Sequence, residues 1–504
     1  MSAGEWFLSF FKDFIGTPAI LIGLFAMLGS ILLRKSGTQI IMSFFKTAAG
    51  FLIIGGGAGV LVGSLINFQL LFTDLFNVNG VIPNNDGFAG SLFESFPSIA
   101  QLGSIIMVLA MALNILLAAT SRFKYIYLSG HVLFYMSIMI SGVMVLGAGL
   151  DLENYVDYSV ALISSGLILS IYMVLSAASN KKYVQRITKT DDITIGHTGS
   201  MGYLMSGLIG DLIYKLKKGK NIKSTEDIKF PKGLQFFRNT FASMAITMLI
   251  VFAIVYIPEG IMYNTGLKLL PPGEAGVEIG KIFGSNSVNW LVRCVLDAFT
   301  FAAGVEIILY GVRMAIGELV PAFKGISDKL VKDAKAAIDC PIVFPYAPNA
   351  VLIGFLSSMM AGIIGIGLTL AVRLANPAIL PVIIPGIIAH FFLGATSGVF
   401  GNSKGGVWGA VIGSFVHGLI ITFVPVIFIA GGWSPSKDLG WGDTDYLIGI
   451  IPGLIGFIDN PVLMRTLIIL IPSILFGGLV ADGLMNKYIF KPKNDSKNDK
   501  VKIS

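Results

Sequence analysis

The chain has 504 residues, of which 54% are hydrophobic and only 13% charged. An ordinary soluble domain carries roughly a quarter charged residues, and no water-soluble core of this length could hide so much apolar surface. The formal net charge of +7 sits in short loops, which suits a chain facing anionic lipid and gives no sign of a nucleic-acid partner. The two cysteines, Cys294 and Cys340, make neither a disulfide framework nor a zinc knuckle. The expected fold is therefore an all-α polytopic membrane protein.

Residues 1–17 come first. Trp6, Phe7, Phe10, Phe11 and Phe14 share one face at helical spacing, which predicts a short helix lying in the membrane interface. Glu5 and Asp13 flank no small-residue cleavage site, so a signal peptide is not expected. A crossing needs ~20 mostly apolar residues. Eleven such runs lie at about 18–34, 39–66, 99–121, 126–149, 158–179, 236–257, 289–315, 350–373, 378–401, 407–430 and 462–484. They form an integral transport domain over 18–484, with a first half at about 18–215, a second at about 236–430 and a final span at 462–484.

The loops orient the spans. From Thr47 to Ser121 there is no lysine or arginine, although Asp74, Asp86 and Glu94 are present. Arg34, Lys35 and Lys46 precede that stretch, and Arg122 and Lys124 follow it. Segments 34–38, 122–125, 181–190, 215–235, 318–336 and 485–503 are basic, whereas 67–98, 150–157 and 258–288 are neutral or acidic. Cytoplasmic loops retain Lys and Arg. The N-terminus is therefore expected outside, with the basic tail 485–504 in the cytoplasm.

Two stretches resist being plain helices. Residues 193–214 open on ITIGHTGSMGY between two basic loops, which predicts a re-entrant hairpin. Residues 337–350, AIDCPIVFPYAPNA, carry Pro341, Pro345 and Pro348, which leave no uninterrupted helix. Non-helical backbone at membrane depth is tolerated where it is buried in protein or lines a wet cavity. One break in each half also suggests an inverted repeat with the substrate site between the halves. Segment 318–336 has Leu319, Phe323, Ile326 and Leu330 beside Lys324, Lys329, Lys332 and Lys335. It reads as a helix resting on the membrane surface, or as a connector between two moving bodies.

Ionisable residues inside spans are costly and usually face the bundle interior. Arg293 with Asp297, and Glu306 with Arg313, have spacings that suit structural charge pairing within or between helices. His390 and His417 lie in apolar runs and read as satisfied core histidines. His131, His197 and Asp339 differ, because each sits on a Gly- or Pro-broken element and together they offer the donors and acceptors a polyhydroxyl ligand needs. The run Gly55-Gly56-Gly57-Ala58-Gly59 would let a ligand reach backbone or let helices pack closely. There is no phosphate-binding loop, zinc spacing or nucleophile elbow, and GNSKGG at 401–406 lacks the required order.

The segments LLRKSGTQIIMSFFKTAAGFLIIGGGAGVL, ALNILL, LSGHVLF, ITIGH, YGVRMAIGELVPAFKGIS, AIDCPIVFPYAPNAV and IIPGIIAHFFLGATSGVFGN together resemble the membrane (IIC) subunit of ascorbate-type sugar phosphotransferase systems. The likeness runs in order from about residue 18 to 430. It implies a homodimer whose protomers each divide into a dimerising part and a core that moves in elevator fashion, with no cofactor. It also implies that a separate IIB protein, charged through IIA from phosphoenolpyruvate, phosphorylates the substrate on the cytoplasmic side. Substrate contacts implied are Gly57 and Ala58 in the second span, Asn85 and Asp86 in the outer loop, His131 and Tyr135 in the fourth span, His197 and Thr198 in the hairpin, and Asp339 in the broken segment. The family pattern has serine where Ala58 stands, glutamine where Tyr135 stands, and glutamines where Thr198 and Gly199 stand. The expected substrate is ascorbate or a related sugar acid or polyol. The alternative class is a proton-coupled secondary transporter of a small polar solute, which would also want Asp339 and His131 near the midplane. A channel or scaffold is a third.

Overall fold

The computed structural model describes residues 18–76, 80–85, 88–89, 92, 96–228, 240–284, 288–375, 381–434 and 439–488. The expected interfacial helix at 1–17, most of the basic tail 485–504, and Asp86 lie outside the described residues. Long helices dominate. The first half contains α1 (Pro18–Leu32), α2 (Gly37–Phe76), α3 (Pro97–Thr120), α4 (Gly130–Gly142), α5 (Tyr155–Thr188) and α6 (Ser200–Leu216). The second contains α7 (Thr240–Asn264), α8 (Glu274–Phe283), α9 (Trp290–Leu330), α10 (Pro348–Ala375), α11 (Ile387–Ala430), α12 (Ile450–Ile455) and α13 (Pro461–Tyr488).

Local chemistry sets the ends. Helices α1, α3, α10 and α13 each open on a proline, where the missing N–H costs nothing. Helix α5 starts at Asn154, whose side chain accepts from the N–H groups of Val156 and Asp157, and stops at Lys189 in the left-handed region, φ 63°. Among the described residues, six helices are long and apolar enough to cross a membrane: α3, α4 with the π-turn after it, α5, α10, α11 and α13. The protein is thus a multi-pass helical membrane protein.

Several expectations need correction. The apolar runs at 378–401 and 407–430 do form two helical segments within α11, joined at Gly406, whose φ of 62° and ψ of −152° are not helical, and lying side by side, with Ser397 bonded to His417 at 2.6 Å and the Ser414 hydroxyl to the Gly394 carbonyl at 2.9 Å. The first of these runs becomes helical only from Ile387, after Pro381 and Pro385. The amphipathic stretch 318–336 is mostly not a separate element, since α9 continues as one 41-residue helix through Pro321 to Leu330. The fold is also not purely helical. Short strands β1 (Gly80–Pro83), β2 (Tyr125–Tyr127), β3 (Ile193–Ile195), β4 (Lys335–Ile338), β5 (Val382–Ile383) and β6 (Leu439–Gly440) form two parallel three-stranded sheets, ordered β5-β1-β6 and β2-β4-β3. The expected re-entrant hairpin is a strand, a turn and a helix: β3, then residues 196–199, then α6.

These strands occur where the chain cannot be helical. Backbone polar groups at depth must be paired inside the protein, and the broken segments pair with each other. Helix α10 packs on α11, α11 on α6, and α2 on α9. The α10–α11 contact is backbone to backbone: a Cβ at Gly354 would lie 2.3 Å from the Gly394 carbonyl oxygen, an approach that small residues permit between membrane helices. A buried cluster of Tyr183, Tyr203, Val343, Leu393 and Phe400 supports the turns that carry His197 and Asp339.

Candidate functional site

Three parallel strands deliver three of the expected site residues. In the β2-β4-β3 sheet, Tyr127 and Thr194 both pair with Ala337, and the ladder is extended by Leu128 N–H to the Ala337 carbonyl at 2.8 Å and Gly196 N–H to the Ile338 carbonyl at 2.9 Å. The strands run in one direction, so their C-terminal ends lie on one edge. Past that edge come His131 on the first turn of α4, His197 after Gly196, and Asp339 directly after β4. Ligand sites in parallel sheets gather at this edge.

The three side chains meet. Asp339 Oδ2 is 3.4 Å from His131 Nε2, and its Oδ1 is 3.9 Å from His197 Nε2. Asp339 Oδ1 also accepts from the Cys340 N–H at 2.6 Å, capping the 3₁₀ turn Cys340–Tyr346. The cap fixes the carboxylate without hiding it, since the side chain stays 35% exposed. Around His197, Nδ1 accepts from the Gly199 N–H at 3.1 Å and faces the Tyr203 hydroxyl at 2.8 Å. An acceptor at Nδ1 places the proton of the neutral ring on Nε2, which points toward Asp339. His197 is therefore a buried donor with a fixed tautomer.

The second sheet supplies the opposite wall. Strand β1 leads into Asn85 and β6 into Asp443. Asn85 Nδ2 donates to Asp443 Oδ1 at 2.7 Å, and its Oδ1 accepts from the Gly442 N–H at 2.9 Å. The Thr198 hydroxyl donates to Asp443 Oδ2, so Asp443 ties the two sheets together. Its neighbour Asp445 is wholly buried and accepts from the Tyr172 hydroxyl at 2.6 Å, the Ser200 N–H at 3.0 Å and the Met201 N–H at 2.9 Å. That carboxyl sits at the N-terminus of α6, where orphan N–H groups need an acceptor.

Between the sheets lies a cavity of about 670 Å³, lined by Asn85, Ser129, His131, Tyr135, His197, Thr198, Arg313, Asp339 and Asp443 with the apolar rims of 341–351 and 388–393. Tyr135 is buried with its ring edge-on to His131, 6.2 Å between centroids. Six expected residues thus share one cavity: Asn85, His131, Tyr135, His197, Thr198 and Asp339. Gly57 and Ala58 lie on α2, and Gly57 is not among the described lining residues.

Of the remaining polar residues, the charged ones on α9 sort differently from expectation, whereas the core histidines are as expected. Asp297 accepts from Asn67 Nδ2 at 2.9 Å and the Tyr256 hydroxyl at 2.6 Å, not from Arg293. Among the described residues, Glu306 and Arg313, two turns apart on α9, form no ion pair with each other. His390 and His417 are buried, with Nδ1 bonded to Ser358 at 2.8 Å and Ser397 at 2.6 Å. Sequence reasoning did not name Ser129 or Asp443, and it read Arg313 as half of a structural pair. The visible signal for Asp443 was WGDTD at 441–445, two carboxylates two residues apart after the tenth apolar run.

His197, Asp339 and Cys340 also bring one donor atom each within 4.8 Å of the others. Two of these groups already hold hydrogen bonds within the site, which suits hydroxyl recognition. The chain matches the family model described as EIIC-GAT, the PTS system sugar-specific permease component, over residues 13–435. It is 27% identical over 457 residues to the ascorbate-specific PTS system EIIC component of Mycoplasma pneumoniae, a match covering 84% of this chain and 66% of that protein, just under two thirds of its length.

Proposed function

Because the chain belongs to the family of PTS sugar-specific permease components, we propose that it binds and translocates ascorbate or a related sugar acid or polyol for phosphorylation by a separate IIB protein. The observation that carries this reading is the convergence of His131, His197 and Asp339 from three parallel strands on one cavity. Asp339 offers carboxylate oxygens to ligand hydroxyls, and His197 Nε2–H donates to a ligand oxygen. Tyr135 and Thr198 frame the same space. Replacing the amides of the family pattern by Tyr135 and Thr198 exchanges paired donor–acceptor groups for hydroxyls, so a relative of ascorbate fits as well as ascorbate itself.

The wider reading follows from the same arrangement. The cavity residues on the β2-β4-β3 sheet belong to the body around α5, α6, α10 and α11, whereas α2, with Gly57 and Ala58, packs on α9. A core sliding past α2 would bring these residues to the ligand in another position of an elevator cycle. In this reading the protein works as a homodimer of eleven-span protomers with the N-terminus outside, and IIA and IIB act from the cytoplasm.

A binding screen on purified protein tests the substrate class. Titration with ascorbate, sugar acids and polyols is expected to find a ligand with Kd between about 1 μM and 1 mM, the usual range for such affinities. Failure of every compound in the panel would refute the assignment to this substrate class.

A further inference from the structure

Arg313 lies on α9, inside the apolar run at 289–315, and lines the cavity with an exposed side chain. It is the one lysine or arginine among the described lining residues. Among the described residues it has no hydrogen bond or ion pair, whereas the cavity's other charged groups are engaged. Asp443 is held by Asn85 and Thr198, and Asp339 by the Cys340 N–H and His131. An arginine within a membrane span is expensive and persists where it faces a polar interior with something to bind. The guanidinium is a planar fork of five donors that matches carboxylate and phosphate oxygens.

We propose that Arg313 is the oxyanion contact of the cavity and determines that its ligand carries an anionic group. The site then has two poles. His131, His197 and Asp339 take hydroxyls, and Arg313 takes the anionic oxygen. This inference rests on the permease reading above, which leaves two sources for that oxygen: the acid group of the substrate, or the phosphoryl group being placed on it. In that transfer a substrate hydroxyl oxygen bonds to phosphorus. The bond from phosphorus to the IIB side chain breaks with its electron pair staying on IIB, and the hydroxyl proton passes to the departing atom or to water. Negative charge on the phosphoryl oxygens is what an arginine clamp stabilises.

The test compares wild type, Arg313→Gln and Arg313→Lys in purified protein, probed with ascorbate, sorbitol and inorganic phosphate, and in phosphorylation by IIB. If the substrate's own charge is the partner, Arg313→Gln weakens ascorbate at least tenfold, leaves neutral sorbitol unchanged, and Arg313→Lys recovers part of the loss. If the phosphoryl group is the partner, Arg313→Gln weakens phosphate and slows phosphorylation at least tenfold while ascorbate binding holds. Equal loss for charged and neutral probes, or no loss for any, overturns the proposal, as does wild-type protein that binds neither anion. Wild type that binds an anion through Arg313 yet is never served by IIB sinks the permease reading and leaves this contact standing. Normal phosphorylation by Arg313→Gln with unchanged binding does the reverse.

Discussion

Asparagine in place of Asp339 is expected to weaken binding of the transported solute at least about tenfold while the protein still inserts and folds. Asn keeps the shape of the side chain and an oxygen that accepts from the Cys340 N–H, so the cap on the 3₁₀ turn survives. What it loses is charge. Asp339 stands between His131 at 3.4 Å and His197 at 3.9 Å with a third of its side chain open to the cavity. Hydrogen bonds to a charged group are worth about 1.5–3 kcal/mol, and about 1.4 kcal/mol is tenfold in affinity. Titration of both proteins with the same ligand, beside a thermal melt of each, separates recognition from folding. Equal affinities in two equally stable proteins would remove Asp339 from the recognition scheme.

A larger effect on stability is expected at Asp445, which touches no ligand. Its carboxyl satisfies the Tyr172 hydroxyl and the N–H groups of Ser200 and Met201 in a fully buried position. Asp445→Ala takes the carboxylate from three donors. The Tyr172 hydroxyl and the Ser200 N–H keep the His197 carbonyl, at 3.0 and 3.2 Å, while the Met201 N–H loses its acceptor, and a buried unsatisfied group costs about 1–3 kcal/mol. The backbone bond from the residue 445 N–H to the Thr198 carbonyl, 2.8 Å, survives the substitution, so the loss falls on the side-chain contacts that hold the start of α6 just beyond His197. The expected result is a melting temperature lowered by many degrees together with loss of ligand binding. Asp445→Asn, which keeps one acceptor oxygen, should fall between Asp445→Ala and wild type. An alanine variant that melts and binds like wild type would show that α6 and its turn are held by packing alone.

Much of the architecture was legible in the residues because hydrophobic length and loop charge are direct consequences of the bilayer. The breaks were legible for the same reason: Pro341, Pro345 and Pro348 cannot continue a helix, and GHTGS cannot span one. What those breaks do with their backbone was not legible. Strands of two to four residues carry no periodicity of their own, and their pairing joins segments up to about 360 residues apart, such as β1 with β6. Consequently His131, His197 and Asp339 could be named as chemically suited to one ligand, but the sheet that brings them together could not. Asp443 and Arg313 show two other limits. The first follows a short strand after an unremarkable loop, and the second had a local partner at heptad spacing, Glu306, that suggested a structural pair. Charge spacing along a helix reports which residues can meet, not which do.

The central claim is that this cavity serves transport coupled to phosphorylation. Solute uptake by intact cells expressing the protein, with and without the IIA and IIB proteins and with the product identified chemically, tests it most directly. The account predicts that uptake requires those proteins and phosphoenolpyruvate, and that the solute appears inside phosphorylated. Accumulation of unmodified solute without them, abolished by a protonophore, would contradict it and make the protein a proton-coupled transporter.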